Sequence, residues 1–94
     1  MGSGTKTAER TRDSSYVVEP WNVVLLNDEW HTFDEVILQL IKATRCSSKK
    51  ASDIAWEVHT RGEAICYTGP KERCEHVAVI LKEIDLGFRI ERMA

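Results

Sequence analysis

Several features that mark large classes of protein are scarce in this sequence. Cysteine occurs three times, an odd number without a C-x-x-C pair, so we expect no disulfide framework and a reducing compartment. No apolar run approaches the roughly 20 residues that cross a bilayer, and the N-terminus has no signal-peptide core. Proline occurs only at positions 20 and 70, where it precedes the first predicted strand and suits the start of a helix. These absences favour a cytoplasmic protein without a membrane partner.

Neither sign of charge dominates the chain. Thirteen Lys and Arg residues stand against 15 Asp and Glu residues, and the basic ones are not concentrated in one stretch. We therefore expect no nucleic-acid partner, because binding to a polyanion requires a clustered basic surface. The length of 94 residues, 43% of them hydrophobic, suits one domain with a single modest core.

Composition divides the chain into a tail and a domain. Residues 1–20 are rich in Gly, Ser, Thr and mixed charge, with little apolar surface to bury, so we expect a flexible N-terminal tail. Its first four residues, Met-Gly-Ser-Gly, have the character of an expression-vector remnant. Residues 21–94 form the predicted domain.

The first half of the domain carries clear local signals. Trp21–Leu26 is a β-prone run that ends at a turn-forming Asn-Asp pair, which predicts a strand. Thr32 and Glu35 match a capping box, and apolar residues at helical spacing then predict a helix from about Phe33 to Arg45. A second helix should begin after a cap at Ser47 or Ser48 and stop at Gly62.

The second half repeats this alternation. Glu63–Tyr67 predicts a strand, and Pro70 suits the first position of a third helix, whose apolar spacing continues through Ile84 until Gly87. A final strand should begin at Phe88. The order β-α-α-β-α-β predicts an α+β fold in which a small three-stranded sheet carries three helices on one face.

One combination of motifs points to a family. The run Leu26-Asn-Asp-Glu-Trp-His-Thr-Phe33 is followed by Val58-His59 and then by Gly62-Glu-Ala-Ile-Cys66. In this order and spacing, the chain resembles the bacterial ClpS adaptors, which deliver N-degron substrates to the ClpAP or ClpCP protease. The resemblance covers Trp21 to about Val79 and implies an antiparallel sheet, a non-catalytic role, no cofactor and a ClpA-type or ClpC-type unfoldase as partner.

The resemblance also implies which residues bind the α-amine of a substrate. In the family, the residues matching Asn27, Asp28 and His59 contact this group. The chemistry agrees, because an α-amine with a pKa near 8 is mostly a cation with three donors at neutral pH and needs acceptors. A carboxylate, an amide carbonyl and a neutral imidazole nitrogen supply them.

The matching hydrophobic pocket for the first side chain comprises Phe33, Val36, Ala55 and Val58. Many family members have Met where this chain has Phe33 and Ala55, so we expect a cavity of altered shape. The predicted ligands begin with Phe, Tyr, Trp or Leu, with Ile and Val as further candidates. The ranking should differ from that of a relative with two Met residues.

Two further surfaces are assigned with less support from the motifs. The predicted rim consists of Glu29, Trp30, His31 and Thr32, where His31 either touches the second residue of the ligand or is simply exposed before the helix cap. The candidates for protease docking are three residues on the third helix, Glu72, Glu75 and His76.

Other interpretations stay open at this point. An Asn-Asp pair after a strand is usually only a turn, and a histidine near a helix C-terminus is often a cap. Cys66 with His59 as base would suggest thiol catalysis, although no third residue orients them. A metal site made of His59, Cys66, Cys74 and His76 lacks the short paired spacings of zinc sites. The same fold could also serve as an interaction domain that reads another peptide without protease delivery.

Overall fold

The computed structural model of the protein describes residues 19–93. The predicted flexible tail, apart from its last two residues, therefore lies outside the described residues. Glu19 pairs with Arg92 at 2.7 Å between Oε1 and Nη2, and the Pro20 carbonyl oxygen accepts a hydrogen bond of 3.2 Å from the Met93 amide. Residues 19 and 20 are thus tied to the end of the last strand.

Three strands and three helices follow one another in the predicted order. In chain order they are β1 (Trp21–Leu26), α1 (Phe33–Thr44), α2 (Ser48–Arg61), β2 (Glu63–Gly69), α3 (Lys71–Lys82) and β3 (Phe88–Arg92). The strands form one antiparallel sheet in the order β2-β1-β3. The predicted α+β fold class and element order are confirmed. Within residues 19–93, no helix is long and apolar enough to cross a membrane.

Local capping sets the bounds of the first two helices. The Thr32 hydroxyl accepts a hydrogen bond from the Glu35 amide, and the Glu35 carboxylate accepts one from the Thr32 amide, which completes the predicted capping box. Ser47 caps α2 with its hydroxyl. Both helices end in a left-handed residue, Arg45 after α1 and Gly62 after α2. Glycine suits this conformation because it has no Cβ to clash.

The third helix differs from its prediction at both ends. Pro70 is the N-cap, so α3 begins one residue later. The helix ends at Lys82, before Ile84, and the chain turns through a left-handed Asp85 with φ of 59°. Ile84 fits the helical spacing nonetheless, because the turn keeps its side chain packed against the core. The spacing of apolar residues, taken alone, therefore predicts a helix that ends later than the observed one.

The core lies between the helices and one face of the sheet. Val23 and Leu25 of β1 are essentially inaccessible, and Cys66 of β2 is buried beside them, as its apolar neighbours predict. The β1–β2 register slips between Val23 and Val24, so Cys66 has no paired residue and forms a β-bulge. The opposite face carries a bidentate ion pair in which Arg89 donates to both Glu63 oxygens at 2.8 and 2.9 Å.

Candidate functional site

A tight turn joins β1 to α1 and is organised by the Asp28 carboxylate. Oδ1 of Asp28 accepts hydrogen bonds from the amides of Trp30 (3.1 Å) and His31 (2.9 Å). Oδ2 lies 2.7 Å from Nδ1 of His31. A carboxylate has about four acceptor positions, so one on Oδ2 is left for a ligand. Asp28 thus forms the turn that the Asn-Asp pair predicts, and its Oδ2 can still accept one hydrogen bond from a ligand.

The C-terminal end of α2 lies beside this turn because β2, which follows α2, pairs with β1 and places Glu63 opposite Leu26. The Asn27 amide donates to the Gly62 carbonyl oxygen at 2.9 Å, across 35 residues of chain. The left-handed Gly62 reverses the chain after the last turn of α2, which carries His59. The Asn27 side chain is exposed and makes no hydrogen bond within the described part of the chain. The three predicted amine-binding residues therefore meet at one place.

These residues border a pocket of about 170 Å³. All three predicted acceptors and all four predicted apolar residues line it, together with two of the rim residues and three leucines. The complete lining is Leu25, Leu26, Asn27, Asp28, His31, Thr32, Phe33, Val36, Ala55, Val58, His59 and Leu86. The wall is apolar within and carries acceptors at one end. This arrangement suits a ligand with a bulky apolar group attached to a donor-rich cation.

Leu25, Leu26 and Leu86 are pocket residues that the sequence analysis missed. Leu86 belongs to the turn between α3 and β3 and is buried. The amide of Leu26 donates to the Gly87 carbonyl oxygen at 3.0 Å, which places this turn next to the end of β1. The useful sequence signal was an apolar residue directly before Gly87, at the point where β3 returns to pair with β1.

Three aromatic rings cluster where α1 and α2 approach the pocket. The Phe33 ring lies 5.3 Å from the His59 ring in an edge-on arrangement and 6.0 Å from the Trp56 ring in a stacked one. Phe33 is 42% exposed and Trp56 is 60% exposed. Because Phe33 and His59 also line the pocket, the cluster fixes the positions of an apolar wall and an acceptor together.

The predicted rim is corrected in position at Glu29 and Trp30 and in role at His31. The Trp30 and Glu29 side chains are exposed but do not line the pocket. The side chain of His31 is only 3% exposed, and both of its ring nitrogens are engaged, so the ring is not available to the second residue of a ligand. The reason is the turn itself, which directs His31 inward under Asp28. Thr32, the exposed helix cap, lines the pocket as predicted, and His31 lines it from below with its ring nitrogens engaged.

The charge state of Asp28 follows from its contacts. Burial alone would raise the pKa of this carboxyl group, but hydrogen bonds from His31 and Trp30 outweigh burial and hold the pKa below its ordinary value. Asp28 is therefore an anion at neutral pH. The pocket consequently presents a negative charge where a cationic group could bind.

The geometry gives little support to thiol or metal chemistry. Cys66 does not line the pocket, and burial raises the pKa of its thiol to about 12, which disfavours the nucleophilic thiolate. Burial also raises the pKa of Cys74. Across residues 19–93, no three His, Cys, Asp or Glu side chains are grouped so that they could hold a metal ion.

The predicted docking residues lie on α3. Glu72, Glu75 and His76 are exposed, and their spacing of three and four residues places them on one side of the helix. Val79, one turn further along, is 65% exposed. None of these residues lines the pocket.

The structure is a small α+β domain with a partly apolar pocket at one end of its sheet. A family model described as "ATP-dependent Clp protease adaptor protein ClpS" matches residues 18–86. The chain belongs to the ClpS family, whose members are non-catalytic adaptors of the Clp protease.

Individual relatives agree with this assignment. The chain is 34% identical over 76 residues to the ClpS adapter of Nostoc sp., covering 76% of this chain and 75% of that protein. It is 36% identical over 56 residues to the ClpS adapter of Thermosynechococcus vestitus, covering 58% of this chain and 60% of that protein. It is also 37% identical over 59 residues to the E3 ubiquitin-protein ligase UBR1 of Drosophila melanogaster, covering 63% of this chain but spanning only 3% of that protein.

A solved structure shows the same fold. The structure of Agrobacterium tumefaciens ClpS2 bound to L-phenylalaninamide matches with a TM-score of 0.68 and 21% identity. The match covers 79% of this chain and 96% of ClpS2. At this level of identity the likeness concerns the fold.

Proposed function

We propose that this protein binds the N-terminal residue of N-degron substrates and delivers them to a ClpA-type or ClpC-type unfoldase. The ligand is a free α-amine attached to a bulky hydrophobic side chain, Phe, Tyr, Trp or Leu, with Ile and Val as further candidates. The observation that carries the proposal is the 170 Å³ pocket that brings Asn27, Asp28 and His59 to the edge of an apolar wall.

The size and lining of the pocket support a ring-sized side chain. A dry engineered cavity of about 150 Å³ in another protein holds benzene, so the present pocket has room for a phenyl ring. Val36, Ala55, Val58 and Leu86 supply aliphatic walls, and Phe33 supplies an aromatic one. Burial of a Phe or Leu side chain against such walls stabilises a complex by about 1.5–3 kcal/mol.

The acceptors support recognition of a free terminus. The Asp28 carboxylate keeps one acceptor position on Oδ2, and the side-chain oxygen of Asn27 is free of bonds to the described residues. His59 adds a ring nitrogen beside Phe33. An internal peptide nitrogen has no charge and at most one donor, so it would leave these acceptors unsatisfied. The bound L-phenylalaninamide of ClpS2 has the same two features, an α-amine and an apolar ring.

The test of binding is a panel of labelled peptides that differ only in residue one, measured by fluorescence anisotropy. Peptides beginning with Phe, Leu or Trp should bind, whereas one beginning with Gly should not. His59→Ala should weaken binding by about tenfold or more, the effect of one hydrogen bond to a charged group. The matched control is His76→Ala, an exposed histidine outside the pocket. Equal binding of the Phe and Gly peptides would contradict the proposal.

Delivery needs a separate test, because a ClpS-fold domain could read a peptide without passing it on. The similarity to a small part of UBR1 keeps this second candidate in view, since it places a related segment in a ubiquitin ligase. A fluorescent reporter beginning with Phe should be degraded by ClpA or ClpC with ClpP and ATP only when the adaptor is present. Charge reversal at Glu72 and Glu75 should abolish degradation and leave peptide binding intact. Tight binding without any degradation would favour the second candidate.

A further inference from the structure

His31 is the most constrained ionisable side chain near the pocket, and the proposed function gives it no role. Its ring is 3% exposed. Nδ1 lies 2.7 Å from Oδ2 of Asp28, and Nε2 lies 2.6 Å from the carbonyl oxygen of Ile84. Both distances are those of strong hydrogen bonds. The ring therefore links the β1–α1 turn to the turn between α3 and β3.

The chemistry of the two partners determines the protonation state of the ring. A backbone carbonyl can only accept, and an ionised carboxylate can only accept. A neutral imidazole carries one N–H and could satisfy only one of them, whereas an imidazolium donates to both. The His31 ring in this geometry is therefore a cation.

The other neighbours of His31 also favour the cation. The Trp30 ring lies 3.8 Å from the His31 ring at an interplanar angle of 33°, so an aromatic face covers it. The charged side chains that act on it, Asp28 and Glu35, are both negative. Burial alone would lower the pKa of His31, but the hydrogen bonds to Asp28 and Ile84 outweigh burial and raise the pKa above its ordinary value.

The two turns joined by His31 both contribute to the pocket. Asp28 supplies the acceptor at one end, and Leu86, two residues after Ile84, lines the wall. Between Ile84 and Leu86 lies Asp85 in a left-handed conformation, so this turn is short and sharply bent. The His31 side chain thus links Asp28 to the turn that carries Leu86, in addition to the backbone hydrogen bond from Leu26 to Gly87.

We propose that His31 is a positively charged positioning residue whose second ring proton fastens the Leu86 turn to the Asp28 turn and so keeps the pocket in its binding shape. This inference rests on the proposed function only for its effect on affinity. When the second proton leaves, one of the two hydrogen bonds is lost. The neutral ring keeps its charge-assisted donation to Asp28, and the Ile84 carbonyl oxygen loses its donor. The wall carrying Leu86 then keeps its core packing and the backbone hydrogen bond from Leu26 to Gly87, but it loses its hydrogen bond to the Asp28 turn through His31.

The sign of the pH dependence follows from the raised pKa. A group whose pKa is higher in the folded state than in the unfolded chain stabilises the fold fully below the unfolded value, about 6.5 for histidine. This stabilisation is lost as the pH rises through the folded pKa. His31 therefore supports both the fold and the pocket at neutral and mildly acidic pH and supports them less in alkaline solution.

The first measurement uses the free protein and needs no ligand. The ¹⁵N chemical shifts of the His31 ring, followed from pH 5 to 10, should show two protonated nitrogens at pH 7 and a transition above that of free histidine. The Leu86 methyl resonances should shift with the same midpoint. A ring with one protonated nitrogen at pH 7, or Leu86 signals insensitive to the His31 transition, would overturn the proposal.

The second measurement compares the affinity of a Phe peptide for wild type and for His31→Gln across the same pH range. Dividing the two affinities at each pH cancels the titration of the peptide amine. The affinity of wild type divided by that of His31→Gln should be about threefold to tenfold at pH 6.5, within the range of an ordinary intramolecular hydrogen bond, and should fall toward one as His31 loses its proton. His76→Gln, the matched control, should give a ratio near one throughout. A ratio that does not change with pH would overturn the positioning role.

The two measurements separate the inference from the proposed function. If no Phe peptide binds at any pH while the His31 and Leu86 resonances titrate together, the proposed function fails and the linkage between the turns stands. If the peptide binds while His31 titrates like free histidine, the proposed function stands and the His31 inference is refuted.

Discussion

Ala55 is the position where a substitution should change ligand preference most clearly. Its methyl group is buried and lines the pocket from α2. Ala55→Met would extend a thioether chain into the 170 Å³ space. It should remove room for about three buried CH₂-sized groups of ligand at about 0.8 kcal/mol each. The peptide whose first side chain is largest should therefore lose roughly 2 kcal/mol of binding free energy, which is about thirtyfold in affinity.

The assay is competition for the pocket by peptides that begin with Trp, Phe or Leu and are otherwise identical. In Ala55→Met, the affinity for the Trp peptide should fall about thirtyfold relative to that for the Leu peptide, because the shorter side chain needs less of the lost space. The control is Ser52→Met, which places the same side chain on an exposed part of α2 outside the pocket. A thermal melt verifies that both variants remain folded.

Two outcomes would refute this reasoning about the pocket. An unchanged ratio of Trp to Leu affinities in Ala55→Met would mean that the first side chain does not occupy the space beside Ala55. The same change in ratio in Ser52→Met would mean that the effect does not arise in the pocket.

The remaining predictions concern stability and reactivity. Thr32→Ala breaks the capping box and should lower the free energy of unfolding by about 1 kcal/mol in urea titrations, as should Ser47→Ala at α2. No loss in either variant would contradict the capping assignments. With a thiol-directed reagent at pH 7.5, the half-buried Cys46 should react first. Cys66 and Cys74 should react only on unfolding, because both are buried with raised pKa values; fast labelling of Cys66 would revive thiol catalysis.

Local signals predicted most of the fold, because capping and turn chemistry act within a few residues. Thr32 with Glu35, and Gly62 after α2, mark helix ends whatever the rest of the chain does. The end of α3 was predicted too late because Ile84 continues the apolar period while lying outside the helix. Its position depends on tertiary contacts, including the hydrogen bond from His31 to its carbonyl oxygen.

The candidate site was predictable from family spacing but not from local rules. Asn27 and His59 lie 32 positions apart, and the pairing of β2 with β1 brings them together. Nothing within either segment specifies this pairing. Leu86 was missed for the same reason, since it enters the pocket only when β3 returns to β1. The inward position of His31 follows from the Asp28 turn. The local sequence could not predict it, because a His-Thr pair before a helix is usually exposed.

The most direct test of the account is the affinity of one labelled Phe peptide beside its N-acetylated twin, each measured with wild type and with Asp28→Asn. Acetylation removes the positive charge and two donors from the amine. Wild type should bind the free peptide and lose most of its affinity for the acetylated one, and Asp28→Asn should discriminate far less between them. Equal binding of the two peptides by wild type would contradict the claim that this pocket reads a free N-terminus.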